Sequence, residues 1–332
     1  MLVAIVLGPW VIRKLYSMKI GQEIRKEECL PLYALHKEKE GTPTMGGILI
    51  LFSVLVSTFL WADILNLNVI LAVFSLIWLG AIGFWDDYVK IKKKRSLGLT
   101  ARMKFLLQLM LSLIIVLVIF FHPKMHVYAT KLTMPFFREI IVDMGPFYVL
   151  FLFLVLVGSS NAVNLTDGLD GLAAGCIVIA ALALGIMSYI IGNVNFARYL
   201  QLLYVPGCGE LAVFCASIVG AGLGFLWFNS YPAQVFMGDT GSLSLGGALG
   251  VVAILIKKEL VLVIVGGIFV IEALSVIIQV ASFKLTGRRV FRCAPLHHHF
   301  EMKGWAEPKV TIRFWIMAII FALFSIATLK LQ

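Results

Sequence analysis

Ten stretches of this chain are apolar for long enough to ask for a bilayer rather than for water. They fall at 1–17, 45–62, 68–85, 104–121, 146–163, 171–192, 209–228, 240–256, 260–283 and 309–329, most of them near the roughly 18 to 20 residues that a helix needs to cross a hydrocarbon core. The alternating ten-residue segments of a membrane barrel are absent. With 61% apolar and 14% charged residues over 332 positions, the expected fold is all-α: a polytopic integral membrane protein of about ten transmembrane helices, forming a single transmembrane domain over 1–332. The first run lacks the basic start and small-residue cleavage site of a signal peptide, so it reads as a short first span.

The charges set the orientation. Of 28 basic residues, seven lie in each of the loops 13–44, 86–104 and 284–313. The positive-inside rule puts these loops in the cytoplasm, and the even number of spans then puts both termini outside. The net charge of +10 is thereby explained by topology, and nucleic acid is not expected as a partner. The five cysteines form no C-x-x-C pair and receive no role. Segment 122–145 alternates apolar and polar residues, which predicts a short hairpin outside.

Five polar constellations fall at cytoplasmic ends. Gly41 to Gly47, with His36 and Lys39 upstream, opens the second span, where free helix amides can hold an anion; a plain turn is the alternative. Asp86-Asp87-Tyr88 closes the third span. Neighbouring helical positions point about 100° apart, so both acids serve one ligand only if the helix ends there; otherwise salt bridges account for them. Acids at a helix C-terminus oppose its dipole and call for compensation. The run Asn161 to Gly171 holds Asn161, Asn164, Asp167 and Asp170 without a lysine or arginine. The two aspartates share a face if the sixth helix begins at 167, and capping is the bland account. Asn229 to Ser242 contains Gly238-Asp239-Thr240, where an acid near hydroxyl and backbone oxygens suits magnesium, and Phe236 could stack on a base; N-capping competes. His297-His298-His299 lack the i, i+4 spacing of a helical zinc site, so phosphate or base contacts are expected, with a solvated loop as the alternative. Within the ninth span, Glu272 and Gln279 share a face, and an interhelical hydrogen bond is expected of them in preference to catalysis.

Acids for a cation, lysines and histidines for phosphates, and an aromatic for a base make up the inventory of phosphoryl transfer at a membrane surface. The segments G-T-P-T-M-G-G (41–47), D-D-Y (86–88), N-L-T-D-G-L-D-G-L (164–172), F-N-x-x-P-A-x-x-F-M-G-D (228–239) and A-P-L-H-H-H-F-E (294–301) closely resemble the phospho-N-acetylmuramoyl-pentapeptide transferase family, within the polyprenyl-phosphate N-acetylhexosamine-1-phosphate transferases. The resemblance runs nearly end to end. It implies Mg²⁺-dependent transfer of phospho-MurNAc-pentapeptide from UDP-MurNAc-pentapeptide to undecaprenyl phosphate, giving lipid I and UMP at the cytoplasmic face of the bacterial inner membrane. A homodimer is compatible with it.

Carried over by position, the resemblance makes Asp239 the main magnesium ligand and Asp86 a second, which also deprotonates or orients the lipid phosphate, with Asp87 beside it. Asp167 and Asp170 would line the cleft, and Lys39, Asn164, Asn229 and Phe236 would lie near the uridine or its phosphates. His297 and His298 would contact the nucleotide-sugar, and Lys90, Lys94 and Lys104 the phosphates. Thr44, Asn161, Gly238 and His299 complete the expected substrate contacts. The chain departs from the family at Lys26 to Pro31, where a Gly-Pro pair is usual, and its first span looks short. A transferase for UDP-GlcNAc is the rival that the H-H-H-F-E motif disfavours. A transporter would place its binding groups nearer the midplane.

Overall fold

The computed structural model describes residues 1–18, 39, 41–93, 98–137 and 140–330. His36, Lys94 and the departure at Lys26 to Pro31 lie outside the described residues. Ten long helical segments form where the apolar runs predict them: α1 (Leu2–Ser17), α2 (Gly47–Trp61), α3 (Leu67–Lys93), α4 (Ala101–Phe121), α6 (Phe147–Thr166), α7 (Leu172–Gly192), α9 (Leu211–Asn229), α10 (Gly238–Leu255), α12 (Gly267–Thr286) and α14 (Glu307–Ala327). Short helices α5 (Pro123–His126), α8 (Val194–Tyr199), α11 (Glu259–Val265) and α13 (Leu296–Glu301) lie between them. Among the described residues, eight helices are long and apolar enough to cross a membrane. Buried side chains from all ten long segments join one hydrophobic core.

Helix α10 is the axis of the bundle. Every residue from Thr240 to Leu255 is buried, which fits a helix that meets protein on all sides, and α2, α3, α6 and α7 pack around it. Small residues permit this closeness, as is usual where helices associate without a hydrophobic drive. A Cβ on Gly246 would come within 2.7 Å of the Ser159 carbonyl, and one on Gly83 of α3 would come within 2.6 Å of Thr240 Cα. The backbone of α3 therefore lies directly against the first turn of α10.

Two expectations about element boundaries are corrected. The third span does not end at Asp86-Asp87, because α3 runs on to Lys93; Lys90, Lys92 and Lys93 in its last turn complement the helix dipole there. The ninth span is not one helix but two, α11 and α12, which part at Gly266. The pair Gly266-Gly267 is poor in helix propensity, and Gly267 packs against the Phe321 ring, 2.8 Å from a built Cβ.

The expected hairpin forms at the far end of the bundle. Strands β1 (Lys131–Thr133) and β2 (Ile141–Asp143) pair antiparallel, Leu132 opposite Val142. It is tied down by a buried polar network. Thr133 Oγ1 donates to the Lys257 carbonyl at 2.6 Å, while Lys257 Nζ donates to the Ala129 carbonyl and to Tyr148 Oη, both at 2.8 Å. Tyr148 in turn donates to Glu259. Replacing Gly83 by valine forces α3 off α10; a loss of about 1–3 kcal/mol is expected, read as a lowered unfolding midpoint in detergent.

Candidate active site

The acids of α3 and α10 converge at one end of the bundle. One carboxylate oxygen from each of Asp86, Asp87 and Asp239 lies within 4.8 Å of the others. Although α3 continues past them, adjacent aspartates reach one point because they approach it by different routes. Asp87 turns toward the start of α10: its Oδ1 accepts from the Asp239 amide at 3.2 Å, and its Oδ2 accepts from the Thr240 amide at 3.0 Å and the Thr240 hydroxyl at 2.8 Å. It caps a helix that has no capping side chain of its own and so satisfies amides that would otherwise be orphaned. Gly238, with φ +72°, makes this approach possible, since a Cβ there would sit 2.7 Å from Asp87 Oδ2 and 2.9 Å from Thr44 Oγ1.

Asp86 turns toward the segment before α4. Its Oδ1 accepts from the Leu99 amide at 2.7 Å and pairs with Lys104 at 2.9 Å, while Oδ2 pairs with Lys90 at 2.6 Å. Asp239 completes the group. Its Oδ2 meets Lys104 at 2.8 Å and Lys90 at 3.1 Å, and its Oδ1 accepts from Asn164 Nδ2 at 3.0 Å. Asn164 also donates to Ser242 at 2.8 Å. Two half-buried ammonium groups thus share three carboxylates. Asp86 and Asp239, hard oxygen donors close together, fit a small divalent cation, whereas Asp87 has both oxygens committed to α10.

A second cluster borders the first. Helix α7 starts where the apolar run does, and residues 167–171 before it form a turn, since Gly171 adopts a left-handed conformation (φ 71°) just before that helix; the condition for the two aspartates to share a helix face is not met. Asp167 and Asp170 consequently part. Asp170 is buried: its Oδ1 pairs with Lys39 at 2.6 Å and its Oδ2 accepts from the Ala233 amide at 2.9 Å. Lys39 also reaches Glu307 at 2.5 Å, and Glu307 accepts from the Asp170 amide at 2.7 Å. The Lys39 ammonium stands 6.0 Å from the Phe236 ring centroid. Asp167 stays with the acids: burial, then the charges of Asp239 and Asp87, push its pKa up to about 7.

Other residues expected at the site have partners within the fold. Asn229 spends its amide on Val235 and its carbonyl on Gly171, stitching the two polar loops together. Asn161 faces α4, donating to Gln108 at 3.1 Å, and is not brought to the acids. The amides of Gly46 and Gly47 are not free for an anion, since they donate to the carbonyls of Phe236 and Met237 at 2.8 and 2.9 Å; buried backbone must pair. Glu272 makes the interhelical contact expected of it, accepting from the Leu296 and His297 amides that open α13, whereas Gln279 binds the returning loop through Val290 and Phe291. Of the histidines, His297 is fully buried, His298 pairs with Glu301 at 2.7 Å and His299 Nδ1 accepts from the Arg292 amide at 3.1 Å. Glu307, Thr240 and Ser242 were missed as site residues. Glu307 had one signal, an acid beside a proline at a helix start.

Residues 69–257 match the sequence model of glycosyl transferase family 4, and residues 39–51 match signature 1 of the phospho-N-acetylmuramoyl-pentapeptide-transferases. A protein of that name from Desulforapulum autotrophicum is 54% identical over 332 residues, spanning 100% of this chain and 90% of the relative. The chain belongs to the phospho-N-acetylmuramoyl-pentapeptide-transferase family. Members from Citrifermentans bemidjiense (52% identical, 100% of this chain and 91% of the relative) and Thermodesulfovibrio yellowstonii (54%, 98% and 90%) agree. The transferase signature covers Lys39 and Thr44, and the broader family match takes in Asp86, Asp87, Asp167, Asp170 and Asp239.

Two outcomes follow for this transferase. Asp239→Asn removes divalent-cation binding while leaving the unfolding midpoint of the cation-free protein nearly unchanged. Asp87→Asn turns an amide donor toward the Thr240 amide and lowers that midpoint by the roughly 0.5–2 kcal/mol of a lost cap. Thermal shift with and without Mn²⁺ separates the two. For Asp167 the folded pKa lies above the ordinary carboxylate value, so its contribution to stability is full below pH about 4 and is lost as pH rises through 7. Asp167→Asn keeps the neutral form, and its midpoint should gain on the parent as pH rises from 5 to 8.

Proposed function

We propose that this chain transfers phospho-MurNAc-pentapeptide from UDP-MurNAc-pentapeptide to undecaprenyl phosphate, releasing UMP and forming lipid I. The observation that carries this reading is the convergence of Asp86, Asp239, Lys90, Lys104 and Asn164 at the same end of the bundle as Lys39 and Phe236. By the positive-inside rule that end is cytoplasmic and both termini are outside, in a bacterial inner membrane.

In this reading the nucleotide lies over Phe236, with Lys39 released from Asp170 and Glu307 toward its phosphates. Asn164 and Asp167 line the wall beside it, and His297 and His298 border the sugar side. Asp86 and Asp239 would hold Mg²⁺, which supplies charge neutralisation for the phosphoryl oxygens when bound. Lys90 and Lys104 leave the carboxylates for the phosphates of donor and acceptor. An oxygen of the lipid phosphate forms a bond to the sugar-side phosphorus, and the bond from that phosphorus to the UMP oxygen breaks. Asp86 orients the attacking phosphate and takes up its proton if one is present. Positioning and charge placement provide most of the acceleration in such chemistry.

Purified protein given radiolabelled UDP-MurNAc-pentapeptide and undecaprenyl phosphate should move label into the lipid phase, lose that activity to EDTA and regain it with Mg²⁺. Asp239→Asn should reduce transfer by at least about 100-fold, the scale on which a lost transition-state contact acts. Transfer from UDP-GlcNAc alone would reassign the donor.

A further inference from the structure

An acid buried inside a membrane helix calls for a specific partner. Glu272 lies in the second turn of α12, fully buried. The loop after α12 doubles back along it, so that α13 begins at the Glu272 carboxylate. Glu272 Oε2 accepts from the Leu296 amide at 2.7 Å, and Oε1 accepts from the His297 amide at 3.2 Å. Oε2 also lies 3.3 Å from His297 Nδ1. One side chain thus fixes the backbone of His297 and places its carboxylate beside the near edge of the ring.

The far edge of that ring points at the site. His297 is fully buried, and neither its Nδ1 nor its Nε2 has a hydrogen-bond partner among the described residues. It rests against Gly168, where any Cβ would overlap it, and Gly168 adjoins Asp167 in the turn that borders the acids. A buried polar atom without a partner is rare and costs free energy, and such atoms cluster where a ligand completes them. With the Glu272 carboxylate 3.3 Å from Nδ1, a proton on the ring is favoured on that side, and Nε2 is the edge turned toward the turn. A carboxylate behind a working histidine fixes its tautomer and orientation in this way.

We propose that Glu272 is a positioning residue for transfer, acting through His297 by holding its Nε2 against the Asp167-Gly168 turn. This rests on the transferase reading above. The test is a double-substitution cycle in the full chain, assayed by label transfer from UDP-MurNAc-pentapeptide. Glu272→Gln should lower kcat on the order of 10- to 100-fold, the range typical of such supporting partners, and His297→Ala should lower it at least as far. The double variant should be no slower than His297→Ala within about threefold, because Glu272 has nothing left to position. A merely structural Glu272 gives losses that multiply. Multiplying losses, or full activity in either single variant, overturns the proposal. If Glu272→Gln fails to fold, Glu272→Asp enters the same cycle with the same criteria. Gly168→Ala, which displaces the ring and leaves Glu272 and α13 intact, should likewise lose activity and be non-additive with His297→Ala; additivity there counts against the proposal. Absence of transfer by the unsubstituted protein would instead remove the functional reading.

Discussion

The contact of Asp87 with the first turn of α10 is the joint on which the site depends. A carboxylate from one membrane helix accepts two backbone amides and a hydroxyl from another, and in a low-dielectric interior such charge-assisted bonds are strong and costly to break. The joint closes only because Gly83 and Gly238 let the two backbones meet. Asp239 is carried on the turn so fixed. Its distance from Asp86 is therefore set by main-chain geometry and not by the reach of a flexible side chain, which is the precision that a shared cation demands.

Around that joint the polar groups divide into holders and workers. Asp87, Asn229, Gln279 and Glu272 spend their hydrogen bonds on backbone, ordering the loops between helices. Asp86, Asp239, Lys90 and Lys104 are paired chiefly with one another, and Lys39 with Asp170 and Glu307, through contacts that a charged ligand can exchange. Asp170 stands between the two classes, since one oxygen anchors the Ala233 amide and the other holds Lys39. The same end of the bundle is thus rigid in its main chain and adaptable in its charges.

Much of this was legible in the sequence, and the limits are instructive. Helix positions followed from apolar run length, since a bilayer leaves the backbone few alternatives, and the acids and lysines that meet were named from their motifs. The division of labour was not legible. Nothing in Asp86-Asp87 tells which carboxylate will cap a helix 150 residues away, because that depends on how two helices pack. The amides of Gly46 and Gly47 looked available until residues 236 and 237 supplied their acceptors. Whether 167–171 was turn or helix stayed open, because its left-handed glycine also reads as an ordinary helix-start residue. Glu307 and Glu272 act through tertiary contacts with Lys39 and α13, which no local spacing encodes.

Lys90 and Lys104 carry a consequence of a different kind. In many metalloproteins the ligands repel one another until the ion arrives, so the apoprotein is unfolded and metal supply governs assembly. Here two resident ammonium groups already balance most of the carboxylate charge. The bundle can therefore pack with its acid cluster already balanced before any cation is present, so that the fold does not wait on an ion.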